Sequence, residues 1–96
     1  MDLRFHPAAL AELRKSADFY KIRSPQAAQR FAMAIDEAIR AVDADPNLCA
    51  RVGSRERACR VKKFPFQIIF RVSGDVLYVV AVAHAKRRPG YWNRRK

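Results

Sequence analysis

Residues 76–83 read Val-Leu-Tyr-Val-Val-Ala-Val-Ala, a run with no charge and a single hydroxyl. It is short and rich in β-branched residues, which predicts a strand rather than a helix. A strand with one wet face alternates apolar and polar residues. This one hardly alternates, so it is expected at the centre of a sheet with both faces covered. Immediately before it, Ser73-Gly74-Asp75 has the residues of a hairpin turn. Before the turn, Phe66–Val72 alternates: Phe66, Ile68 and Phe70 point to one side, Gln67, Ile69 and Arg71 to the other. Phe64-Pro65 turns the chain again. Arg57–Lys63 is then a third strand, with Cys59 and Val61 on one face and Arg60 and Lys62 on the other. Residues 46–56, with Pro46, Asn47, Gly53 and Ser54, read as a loop.

The N-terminal half has a different period. Leu3-Arg4-Phe5 is a short strand candidate. From Pro7 to about Ile22, Leu10, Leu13, Ala17 and Tyr20 recur at three and four residues, forming one helical face. Pro7 suits a first helical turn, where its missing N–H costs nothing. Ser24-Pro25 repeats that device, with Ser24 as cap. The second helix places Ala28, Phe31, Ile35, Ala38, Ile39 and Val42 on one face. It should end before Pro46, because proline pushes the preceding residue out of the helical region. So short a link forces an αα-hairpin. The predicted architecture is α+β, in the order β-α-α-β-β-β: a single domain over 1–96, with the hairpin on one face of a small, mostly antiparallel sheet. On that packing, Arg60, Lys62, Gln67 and Arg71 converge on the other, open face.

Composition narrows the function. The net charge of +11 is unevenly spread: residues 1–48 carry seven Lys/Arg and seven Asp/Glu, while residues 49–96 carry thirteen Lys/Arg against Glu56 and Asp75. The whole excess lies in the second half, which points to a polyanion or an acidic protein as partner. No apolar run approaches the roughly 20 residues of a membrane span, and the N-terminus has no signal-peptide pattern. A cytoplasmic protein without a membrane role is expected. Cys49 and Cys59 have neither CxxC spacing nor a zinc-finger histidine, and are expected as free thiols. No HExxH, phosphate-binding glycine loop or paired carboxylates in the basic half occur, so no metal or cofactor is expected.

What remains is the run Ala83-His84-Ala85-Lys86-Arg87-Arg88-Pro89-Gly90-Tyr91-Trp92 and the cations around it. Metal-free RNA cleavage needs a base, an acid and cations for the phosphate charge. Histidine is the side chain best suited to exchange a proton near neutral pH, so His84 could be either base or acid. Tyr91 could assist, and Arg60, Lys62, Arg71, Arg87 and Arg88 could hold phosphates. Each has a structural alternative. His84 could make a strand-end hydrogen bond, the arginines could form a solvated tail, and Tyr91-Trp92 could tie that tail to the core.

On these residues the chain resembles the RelE/ParE toxins of bacterial type II toxin–antitoxin systems. The resemblance runs from the N-terminal strand through Ala11-Glu12-Leu13, Phe19-Tyr20 and Ser24-Pro25-Gln26-Ala27-Ala28. It continues through Ile39 to Asp45-Pro46, Arg60–Phe66 and the ending Val82–Trp92. It implies the strand-helix-helix-three-strand fold and a cognate antitoxin with an acidic, amphipathic segment, assembled with the toxin as a hetero-oligomer. Two targets follow from the family. ParE-type members poison DNA gyrase, and RelE-type members cleave mRNA on the ribosome. Against the RelE pattern, Arg60 and Lys62 occupy the places of two lysines and Tyr91 matches the C-terminal tyrosine. Gln67 stands where an arginine is usual. Ala85 falls nearest a second arginine, with Arg87 two residues on. The incomplete set resembles the ParE type more, which makes gyrase the first expected target and the ribosome with its mRNA the alternative. His84, Tyr91 and Arg87 would be catalytic only in the second case.

Overall fold

The computed structural model describes residues 1–96. Its elements are β1 (Asp2–Phe5), α1 (Pro7–Arg23), α2 (Pro25–Ala44), a 3-10 turn at Pro46–Leu48, β2 (Ala50–Arg51), β3 (Arg57–Val61), β4 (Phe66–Ser73) and β5 (Val76–His84). The five strands form one sheet in the order β1-β5-β4-β3-β2, antiparallel except for the parallel pair β1–β5. The apolar run of β5 therefore does lie in the interior of the sheet. β2, only two residues long, falls where the sequence suggested an unbroken loop.

Both helices start as their sequences dictate. The His6 ring Nδ1 accepts the Ala8 N–H at 3.0 Å, and the Ser24 hydroxyl accepts the Ala27 N–H at 2.9 Å. Each satisfies one of the free donors of a first helical turn. Ser24 also closes α1, its N–H donating to the Tyr20 carbonyl. A single extended residue thus joins the two helices. The hairpin buries Phe31, Ile35, Ala38 and Val42 from α2, and Ala9 from α1, against Val61, Phe66, Ile68, Phe70, Leu77, Val79 and Val82 of the sheet. The face of α1 keeps three of its four expected residues and differs at its N-terminal end. Ala9 is its fully buried residue, with Leu13, Ala17 and Tyr20 packed beside it, while Leu10 stays outside the cluster. The small Ala9 brings α1 close to the strands.

The other face of the sheet is not open. Register along β4–β5 slips between Ile69 and Phe70, which face Ala81 and Val79 and leave Val80 as the extra residue of a bulge. The bulge puts Val80 and Ala81 on the same side. With Ala58, Ile69 and Ala83 they hold Trp92, which is 4% exposed. Four successive turns carry the chain back over this face: Arg87 N–H to the His84 carbonyl, Tyr91 to Arg88, Asn93 to Gly90 and Arg95 to Trp92. Gly90 takes a positive φ of 74°, which glycine adopts without steric cost. No helix is long and apolar enough to cross a membrane.

Candidate functional site

The candidate site starts where β5 outruns β1. The last paired residue of β1 is Phe5, opposite Val79. Beyond it β5 has no strand on that side, and its polar groups need other partners. Glu12, one helical turn past the buried Ala9, supplies one: its Oε1 accepts the Val82 N–H at 3.1 Å. Arg95 supplies the other, donating from Nη1 to the Val80 carbonyl at 3.1 Å. The two side chains also bind each other in a bidentate pair, with Nη1–Oε1 2.8 Å and Nη2–Oε2 2.9 Å. Tyr91 completes the cluster, its hydroxyl donating to Glu12 Oε2 at 2.7 Å. Glu12 and Arg95 thus stand in for a missing strand and clamp the returning tail to α1.

The charges in this cluster are mutually adjusted. Burial pushes the Glu12 carboxyl up, but the hydrogen bonds from Arg95, Tyr91 and Val82 and the Arg95 charge outweigh it, and the net shift is downward. The hydrogen bond to Glu12 raises Arg95. Burial first, and then Glu12, push the Tyr91 phenol up to about 12. At neutral pH Tyr91 is a donor whose proton is committed to Glu12.

Beside the clamp is a cavity of about 260 Å³, with Glu12, Phe19, Tyr20, Phe66, His84, Arg87 and Tyr91 among its walls. Three of the sequence candidates, His84, Arg87 and Tyr91, do meet there. The His84 ring packs edge-on against Phe66 at 5.0 Å between centroids, and its Nδ1 accepts the Lys86 N–H at 3.0 Å. It is thereby held much as His6 is held at the start of α1. Arg87 stacks over the Tyr91 ring at 3.9 Å.

The remaining candidates do not converge there, and the expected open cationic face is corrected at Lys62 and Arg71. Arg60 does lie on the tail side, opposite Gln67. Lys62 falls past the end of β3, which stops at Val61, and its ammonium pairs with Glu37 of α2 at 3.0 Å. The four-residue turn Lys62–Pro65, with Lys63 at a φ of 67°, ends the alternation that had placed Lys62 beside Arg60. Arg71 lies five residues from Phe66 along β4, roughly 17 Å away, and is occupied there. It donates to the Lys96 main-chain oxygen at 2.6 Å and covers the Tyr78 ring at 4.7 Å. Arg88 is exposed. Cys49 and Cys59 are free thiols as expected; burial, and then the neighbouring Cys49, push the Cys59 thiol up to about 11.

Glu12 is the residue that sequence reasoning missed. It lies off the apolar stripe of α1 and looks like any solvated helix carboxylate. A signal for Trp92 was present: Ala81 and Ala83 recur at strand spacing in an otherwise bulky run, and small residues in a row leave room for one large ring.

Comparison with known proteins agrees with this architecture. The family described as "ParE toxin of type II toxin-antitoxin system, parDE" matches residues 3–89. A solved chain of the chromosomal ParDE TA system from P. aeruginosa has the same fold, with a TM-score of 0.72 at 23% identity. The match covers 88% of this chain and 95% of that one. No curated protein sequence matches significantly.

Proposed function

The chain belongs to the ParE toxin family of type II toxin–antitoxin systems, and from that premise we propose that it inhibits growth by poisoning DNA gyrase and is neutralised by a cognate antitoxin. The observation that carries the choice of target is the commitment of Tyr91. A nuclease acid must release its proton to the leaving 5′-oxygen. The Tyr91 hydroxyl oxygen instead lies 2.7 Å from Glu12 Oε2 and donates its proton there, in a clamp that already contains a full ion pair. The scatter of Lys62 and Arg71 away from His84 argues the same way. In this reading Arg60, Arg87 and Arg88 are target contacts, and the clamp keeps the last of them rigidly presented.

The antitoxin reading is supported by the excess charge of +11 and by Phe19, Ile22 and Met33, exposed on the two helices. An acidic, amphipathic segment matches both features. The solved ParDE relative is itself described as part of a toxin–antitoxin system, and a hetero-oligomer is the expected form.

The meeting of His84, Arg87 and Tyr91 around one cavity favours a second reading, a ribosome-dependent mRNA endonuclease, which the same experiment separates. The toxin is induced without antitoxin, and plasmid supercoiling and mRNA ends are measured in the same cells. Lost supercoiling with accumulated cleavage complexes is expected. Toxicity should survive in Tyr91→Phe and His84→Ala. Normal supercoiling at a growth-inhibiting level, with codon-phased mRNA cuts abolished by those two substitutions, overturns the gyrase reading.

A further inference from the structure

A concavity of about 850 Å³ lies at the end of the sheet away from His84. β3 begins at Arg57, opposite Phe70, so β4 continues through Arg71–Ser73 paired with β5 on one side and with no strand on the β3 side. The loop from Arg51 to Arg57 curves round this free edge and forms one wall. Arg4, Arg51, Arg55, Arg57, Arg71 and Lys96 line the groove; Glu56 is the one side-chain carboxylate in its lining, 4.0 Å from Arg71, and Asp2 pairs with Arg4 at 2.9 Å from outside it. Two of the arginines are held without being neutralised. Arg51 donates from Nη2 to the Ser54 carbonyl and Arg57 from Nη1 to the Cys49 carbonyl, both at 2.8 Å. A carbonyl fixes a guanidinium fork but leaves its charge and remaining donors for another acceptor.

We propose that this groove binds the sugar–phosphate backbone of duplex DNA. Arginine forks match phosphate oxygens in a bidentate geometry, and a row of them matches a chain of phosphates. An amphipathic peptide needs apolar anchors, and only four of the fifteen lining residues are hydrophobic. Three free residues of β4 are too short an edge for a peptide strand of usual length to pair with. A small organic ligand also needs a mostly apolar pocket. An unstacked single strand needs a free aromatic face. Of the two aromatic residues in its lining, Phe70 is buried in the core, and Tyr78 already has Arg71 on its ring and His6 in a T-shaped contact with it. Backbone contact without base reading remains, and it suits an intact duplex. The inference concerns bare DNA and is independent of which enzyme the toxin poisons.

Fluorescence anisotropy of the full chain with a labelled duplex of arbitrary sequence, over a series of KCl concentrations, tests it. Arg4→Ala/Arg51→Ala/Arg55→Ala should weaken binding about tenfold or more and flatten the log–log salt dependence by roughly 2–3, since each phosphate contact contributes about 0.9. Arg4→Ala/Arg55→Ala, which breaks no side-chain bond to the main chain, should show a proportionate part of both effects even if the triple variant folds poorly. Lys15→Ala/Lys21→Ala/Arg30→Ala removes the same charge from the helices and should change affinity less than about threefold. Equal losses from the groove and helix variants overturn the assignment. So does a poly-glutamate peptide that binds as tightly as the duplex, which would give the groove to an acidic protein segment.

Discussion

On one face of the sheet Leu77, Val79 and Val82 of β5 meet two helices; on the other Val80, Ala81 and Ala83 meet one indole ring and a run of turns. The helix face is closed by apolar volume, with Phe31 at its middle touching the rings of Tyr20, Phe64 and Phe66. The tail face has a cluster half the size and relies on polar bonds at its border, where Glu12, Tyr91 and Arg95 lock the returning chain. Two ways of covering a sheet therefore coexist. One is cooperative with the whole fold, and the other is a strap fixed at two points. The strap leaves most side chains of the basic segment free, because few contacts hold it.

Substitution at Phe31 should give the largest effect. Phe31→Ala empties a site enclosed by aromatic rings, and a loss of about 3–5 kcal/mol is expected. Urea unfolding should remain a single transition, with its midpoint lowered for every probe. Trp92→Ala is expected to cost about 2–4 kcal/mol, at the lower end for an aromatic because the strap can lift instead of leaving a closed void. Its distinguishing sign is local. Limited trypsin digestion should cut at Lys86, Arg87 or Arg94 under conditions where Phe31→Ala, compared at equal global stability, is cut throughout. Uniform cutting of both variants would abolish the contrast between the two faces.

The two faces also differed in how far the sequence disclosed them. The helix face follows from periodicity: Phe31, Ile35, Ala38 and Val42 recur on one side of α2, and Phe66, Ile68 and Phe70 alternate along β4. Burial enforces both patterns, so they can be read locally. The bulge at Val80 is a non-local event. It changes which β5 side chains share a face without any change in their apolar character, so the run 76–83 predicts a buried strand but not its phase. The clamp was illegible for a similar reason. Glu12 and Arg95 are 83 positions apart, and nothing in either neighbourhood marks the pair. The grouping of His84, Arg87 and Tyr91 was legible because they leave the same strand within a few residues. Lys62 was misplaced because strand alternation was carried two residues past the point where the turn at Lys63 ends it.

Glu12 tests whether the strap is held by charge. In Glu12→Gln the amide can still accept the Val82 N–H, but Arg95 keeps its charge at 17% exposure with no counter-ion. A destabilisation of about 2 kcal/mol is expected at neutral pH, less than for a fully buried pair because water screens this one in part. Its pH dependence carries the sign. The folded-state carboxyl lies below its ordinary value of 4.5, so folding favours the ionised form. That contribution is complete above the unfolded value and disappears as pH falls through the lower folded one. The difference in stability between the parent and Glu12→Gln should thus be flat from pH 7 to about 5 and shrink steadily below it. Chemical denaturation at half-unit steps of pH measures it directly. A difference that stays constant down to pH 3 would mean that the strap is held by shape alone, and the tail face would then differ from the helix face only in size.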